Sequence, residues 1–253
     1  MLTIQGLNKW FGGLKAVQDL NLTIQPGEFV GVIGPNGAGK TTLFNLISGF
    51  LKPTSGTIVF NGENMTGLKP FQRADKGLIR TFQSSTLIFA KLSVLENIRV
   101  GSYCQGKTNI IRTLWGGYRS AERDRVTLQH ASRIMDLTEL SAMKSHLAQN
   151  LSHGYRRILG VAVALAGQPK LLMMDEPTTG MNAQEVQKMV AIIKKIHEQG
   201  VTILLVEHNM HVVGELCQRV MVLNFGKKIA EGTCEEIRTD REVIRAYLGG
   251  IGC

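Results

Sequence analysis

The chain lacks any stretch able to cross a bilayer as a helix. Its longest apolar runs, Leu159 to Ala166 and Ile203 to Val206, fall far short of the ~18 consecutive apolar residues such a span needs. The N-terminus, Met1 to Lys9, has neither the basic nor the apolar region of a secretory signal, so the chain is expected to stay in the cytoplasm. Cysteine is sparse and scattered. Cys104, Cys217, Cys234 and Cys253 form no C-x-x-C pair, which speaks against a zinc site or a disulfide framework and leaves reduced thiols as the expectation. His208 and His211 stand at i, i+3 spacing with no Cys or third His beside them, so they do not form a metal-ligand pattern. Nor does any dense Lys/Arg run accompany the net charge of +9. That excess suits phosphate ligands, nucleic acid or an anionic membrane face without choosing among them, and a solvated basic surface accounts for it equally.

What is present is enough for one sizeable core, or a core with a smaller subdomain inserted: 253 residues, 43% hydrophobic and 19% charged. Leu2 to Gln5 and Leu20 to Ile24 alternate as half-buried strands, and Phe29 to Ile33 is a short apolar run ending at glycine, as a central strand does. Thr41 to Gly49 follows as a helix, with Leu43, Leu46 and Ile47 on one face, and Thr57 to Phe60 returns as a strand before Asn61-Gly62. From Ser93 to about Leu147 the pattern is mostly helical, with an interruption at Thr113 to Gly117. Beyond it the chain alternates: helix Arg156 to Ala166, strand Leu171 to Met174, helix Gln184 to His197, strands Val201 to Val206 and Met221 to Phe225, and a closing helix Glu235 to Tyr247. Such alternation predicts an α/β fold with a largely parallel sheet and helices on both faces.

Gly34-Pro35-Asn36-Gly37-Ala38-Gly39-Lys40-Thr41 fits G-x-x-x-x-G-K-[ST], between a predicted strand and a predicted helix. The glycines let backbone N–H groups turn toward phosphates, and the helix presents its positive end to the same charge. Lys40 is expected to reach the β and γ phosphates, Thr41 to offer its hydroxyl to Mg²⁺, and Thr42 to donate to the α phosphate. Asp175, ending an apolar strand, is the matching acid for the Mg²⁺ shell. Glu176, directly after it, is placed to polarise a water for in-line attack. No guanine-reading N-K-x-D follows the P-loop, so guanine specificity is not expected.

In order, the P-loop, Gln83 in Arg80-Thr81-Phe82-Gln83, Leu151-Ser152-His153-Gly154-Tyr155, Asp175-Glu176-Pro177 and His208 resemble the motifs of an ABC transporter nucleotide-binding domain over essentially the whole chain. Gly12 to Val17, the Arg80 to Gln83 string with Val94 to Asn97 beyond it, and Gly180-Met181-Asn182 are most similar to the ATP-binding subunit of branched-chain amino acid importers. The resemblance implies a P-loop NTPase (RecA-like) core over residues 1–92 and 156–253, an N-terminal antiparallel β part, and an inserted α-helical signature subdomain at about 93–155. It implies that Phe11 stacks on adenine, that Gln83 joins the Mg²⁺ and water shell, and that His208 meets the γ phosphate. It also implies a head-to-tail ATP sandwich with a second copy or a homologous ATPase subunit, Ser152 and Gly154 of one copy touching the phosphate held by the other. His153 and Tyr155 depart from the commonest L-S-G-G-Q signature, Tyr155 replacing the Gln that usually meets ribose, and Asn182 stands where Asp is usual.

The implied partners are transmembrane permease subunits on the cytoplasmic face of the cell membrane and, indirectly, a solute-binding protein, with no nucleic acid expected. Urea, amides and other amino acids are alternative cargoes. A soluble ABC ATPase that remodels nucleic acid or ribosomes is the reading from another class; a single nucleotide domain without a heptad run argues against it.

Overall fold

The computed structural model describes residues 1–81, 88–103 and 117–248. Gln83 and most of the Thr113 to Gly117 interruption lie outside the described residues. The first layer is an antiparallel sheet in the order β2-β1-β4-β5, from β1 (Leu2–Phe11), β2 (Leu14–Ile24), β4 (Ser55–Phe60) and β5 (Glu63–Asn64). Asn61 and Gly62 both adopt positive φ, 50° and 81°, and close the β4–β5 hairpin as the Asn-Gly pair predicts.

The second sheet runs β10-β9-β3-β8-β7-β6, built from β3 (Phe29–Ile33), β6 (Leu78–Arg80), β7 (Leu171–Asp175), β8 (Thr202–Val206), β9 (Arg219–Asn224) and β10 (Lys227–Gly232). All its neighbours pair in parallel except β10 with β9. Every residue of β3, β7 and β8 is buried, because both faces of these strands are covered. Successive side chains part to opposite faces. Leu171 and Met173 join a core with β1, β2, β4 and helix α1 (Lys40–Ser48), whereas Leu172 and Met174 join a helical one. That second cluster takes in α3 (Val94–Tyr103), α4 (Gly117–Leu137), α5 (His153–Ala166) and α6 (Ala183–Glu198). Full burial of each such Leu, Ile, Val or Met contributes about 1.5–3 kcal/mol.

Several elements differ from the sequence reading. One face of the parallel sheet is covered chiefly by the antiparallel sheet with α1, not by helices on both sides. β1 continues to Phe11, and α5 begins at His153 rather than Arg156. Short elements with too few residues to show a period appear as well: α2 (Pro70–Ala74), β6, and α7 (Met210–Leu216). The closing helix is two, α8 (Cys234–Thr239) and α9 (Arg241–Leu248). The Asp240 side chain divides them by accepting the N–H groups of Glu242 at 2.7 Å and Val243 at 3.0 Å.

Register fixes where the site must lie. Val206 pairs with both Val32 and Asp175, and Arg80 with Met173, so β3, β6, β7 and β8 end at one edge of the sheet. The C-terminal edge of a parallel sheet is where ligands of such folds bind.

Candidate functional site

The loop after β3 is made by glycine geometry. Gly34, Gly37 and Gly39 have φ of 150°, 78° and 103°. A Cβ on Gly34 would lie 2.1 Å from the Leu223 carbonyl oxygen, and one on Gly39 2.5 Å from that of Ala16; both obstacles are backbone and cannot step aside. The turn after β9 clamps the loop from outside, with Gly226 N–H donating to the Ala38 carbonyl at 2.9 Å. α1 then starts at Lys40 with Gly39 as its N-cap and no side chain taking its first N–H groups. Lys40 Nζ donates to the carbonyls of Gly34 at 2.6 Å and Pro35 at 3.0 Å, so the ammonium lies within the loop. Burial lowers its pKa, opposed by the Glu176 and Asp175 carboxylates.

Asp175 ends β7, 5% exposed, and its Oδ2 accepts from Arg80 Nη2 at 2.7 Å. Glu176 turns off the strand at a φ of 46°, in the left-handed region, pinned by its N–H donating to the Val206 carbonyl at 2.9 Å. Thr179 Oγ1 donates to Glu176 Oε2 at 3.2 Å. His208 projects from the neighbouring loop, with Nδ1 4.0 Å from Glu176 Oε1 and 4.0 Å from Glu207 Oε2. Ordinary capping does not explain it, because the N-cap of α7 is Asn209. Thus the P-loop, Asp175, Glu176 and His208 share one edge of the sheet.

Glu207 was not singled out from sequence. Buried to 1% exposure, it accepts from Thr178 N–H at 3.1 Å, Thr178 Oγ1 at 2.5 Å, His208 N–H at 3.1 Å and Asn209 N–H at 3.4 Å. It thereby ties the loop bearing His208 to the loop after Glu176. The available signal was a parallel: Val206-Glu207 ends an apolar strand as Met174-Asp175 does.

Leu151 to Tyr155 is bound to a different element. Ser152 is the N-cap of α5, its Oγ accepting from Tyr155 N–H at 3.3 Å and donating to Glu185 Oε1 at 3.5 Å. A Cβ on Gly154 would lie 2.4 Å from that same Oε1. Glu185 cannot easily yield, since it forms the capping box of α6 with Asn182. His153 Nε2 lies 3.3 Å from the Thr179 carbonyl, to which Arg157 Nη2 also donates at 3.3 Å. Burial lowers the Arg157 pKa, with Glu176, Glu207 and Asp175 opposing it. Tyr155 faces α6, its hydroxyl accepting from Lys188 Nζ at 3.3 Å.

Phe11 is 45% exposed, with Lys9 Nζ 5.0 Å from its ring centroid. From the residues alone it reads as core, but its position at the end of β1 leaves the ring accessible. It pairs with Leu14 across the β1–β2 hairpin, two residues before Ala16, whose carbonyl abuts Gly39 of the loop.

The Thr41 hydroxyl and the Asp175 carboxylate are hard oxygen donors and suit Mg²⁺. Among the described residues, no three His, Cys, Asp or Glu side chains are grouped to hold a metal by themselves. Among them, too, no helix is long and apolar enough to cross a membrane.

Residues 17–179 match the family model described as ABC transporter, and residues 227–251 match that of the branched-chain amino acid ATP-binding cassette transporter. The chain is 40% identical over 252 residues to the high-affinity branched-chain amino acid transport ATP-binding protein LivG of Escherichia coli, and 38% identical to BraF of Pseudomonas aeruginosa, covering 98% of both chains in each case. Among solved structures, it resembles the ADP conformation of MJ1267, an ATP-binding cassette of an ABC transporter, with a TM-score of 0.85, 28% identity and 98% coverage of both chains. The dimeric bacterial ABC transporter cassette MJ0796 matches with a TM-score of 0.77 and 25% identity, over 92% of this chain and 99% of that one. With the family model covering residues 17–179 and relatives of 38–40% identity over 98% of the chain, the chain belongs to the ABC transporter family, as one of its ATP-hydrolysing cassettes.

Proposed function

We propose that the chain energises a membrane importer of branched-chain amino acids from the cytoplasmic face, working as an ATP sandwich with a second copy or a homologous subunit. The observation that carries the catalytic part is Glu176, held off the end of β7 by Val206 and Thr179, one residue beyond Asp175 and within 4.0 Å of His208. In this reading Gly34 to Thr42 wrap the phosphates, Lys40 leaves its loop carbonyls for the β and γ phosphates, and Phe11 stacks on adenine. Thr41, Asp175 and Gln83 hold Mg²⁺, which neutralises phosphate charge when bound. Glu176 accepts a proton from the attacking water, and His208 meets the γ phosphate. Ser152 and Gly154 complete the partner's site, borne on the helical stretch at about 93–155. Permease subunits dock on the cassette and a solute-binding protein delivers cargo to them. The likeness to LivG and BraF supports the choice of cargo.

The test is purification with the permease subunits and the binding protein, followed by ATPase measurement under a panel of solutes. Leucine, isoleucine or valine should stimulate turnover, and Glu176→Gln in the same complex should lose about 100-fold or more of it while still binding ATP. Stimulation by urea or short amides instead would replace the cargo. Undiminished turnover in the Gln variant would remove Glu176 from its role.

A further inference from the structure

Arg80 ends β6, and its guanidinium is nearly enclosed, with the side chain 6% exposed. Two neighbouring elements, β7 and α1, meet on it. Nη2 donates to Asp175 Oδ2 at 2.7 Å; Nη1 donates to Asn45 Oδ1 at 2.6 Å and lies 3.2 Å from Ser48 Oγ; the guanidinium carbon sits 5.5 Å from the centroid of the Phe44 ring. Phe44, Asn45 and Ser48 belong to α1, the helix that begins with Lys40 and Thr41. The planar fork is therefore fixed on the P-loop helix by one set of contacts and grips the acid of β7 with the other. A buried ion pair of this kind gains little net stability over apolar packing, because both charges lose their hydration. Its geometry is more informative than its energy. One oxygen of Asp175 is taken, in a direction set by α1, and the two proposed metal donors, Thr41 and Asp175, are thereby referred to the same helix.

We propose that Arg80 is a positioning residue for the divalent metal: it sets Asp175 relative to Thr41 so that both meet the ion carried by the nucleotide. The inference rests on the reading of Asp175 as a metal-shell acid. A partner that orients a metal-ligating carboxylate typically accounts for about 10- to 100-fold in metal affinity. Calorimetry of a non-hydrolysable ATP analogue, with Mn²⁺ and with EDTA, gives the factor by which the metal tightens nucleotide binding. Arg80→Met should leave the EDTA affinity unchanged and cut the Mn²⁺-dependent gain by about tenfold or more. The double variant Asn45→Ala, Ser48→Ala keeps both charges and removes only the support; it should lose several-fold, and it serves where the Met variant fails to fold by circular dichroism. An undiminished Mn²⁺ gain in a folded Met or double variant would overturn the proposal and make Arg80 an internal brace. Asp175→Asn separates the two readings: if it keeps the full Mn²⁺ gain, the metal assignment itself fails, whereas loss there with full gain in the Arg80 and α1 variants sinks only the role of Arg80.

Discussion

The two helix starts to which the proposed function gives phosphate are built in opposite ways. α1 opens on Gly39, at φ 103°, with no side chain on its first N–H groups. α5 opens on Ser152, whose hydroxyl already accepts from Tyr155 and leans on Glu185. The first is a backbone cradle that a phosphate completes. The second already has one N–H capped; in the proposed sandwich a trans phosphate would accept the Ser152 O–H in place of Glu185 Oε1, leaving the bond from Tyr155 N–H intact. Exchanging one hydrogen bond for another is nearly neutral in free energy. Under the proposed function, the α5 start would therefore suit reversible engagement and the α1 start retention.

The largest effect should come from breaking the cradle. Lys40 Nζ is partly buried within hydrogen-bond reach of two loop carbonyls and feels both Asp175 and Glu176. Its charge-assisted bonds to phosphate are worth about 1.5–3 kcal/mol, so Lys40→Ala should weaken ATP binding by about 10- to 100-fold. Titration of the isolated cassette with ATP checks this, and full affinity in the variant would remove the P-loop assignment.

Breaking the other half-site should look different. Ser152→Ala removes the cap of α5, costing about 1 kcal/mol of stability, and should leave the ATP affinity of the single cassette unchanged. Its effect should appear in association: in a Glu176→Gln background, the ATP-dependent dimer seen by analytical ultracentrifugation should weaken. A dimer as tight as the parent's would mean that Ser152 acts only as a helix cap, and the contrast between the two starts would lose its functional meaning.

The glycine turn of the P-loop was legible because it is local: eight consecutive residues specify it. Asp175 and Glu176 were legible for the same reason, at the end of an apolar run. Arg80 and Glu207 were not, since their partners, Asn45 with Asp175 and Thr178 with Asn209, come together only when parallel strands align. β6 and β10 escaped for related reasons, one being three residues long and the other an edge strand with no fully buried residue. The break at Asp240 left a local signal, an Asp capping the turn that follows it, which the helical period around it obscured.

A third helix start refines the contrast at the smallest scale. α6 begins at Asn182, where Oδ1 accepts from Glu185 N–H at 3.0 Å and Glu185 Oε2 accepts from Asn182 N–H at 3.1 Å. The same Glu185 stands against Ser152 and fills the space a Cβ at Gly154 would take, so this capping box backs the Leu151 to Tyr155 turn. Asp caps as well as Asn, so Asn182→Asp should melt with the parent. Asn182→Ala loses the cap, about 1 kcal/mol, which lowers the melting temperature by about 2–4 °C in a chain of this size. If Glu185 positions Ser152, the Ala variant should also weaken the ATP-dependent dimer while leaving single-cassette ATP affinity intact. A lower melting temperature with an unchanged dimer would instead make the capping box a matter of α6 alone, and Ser152 would owe its position to α5.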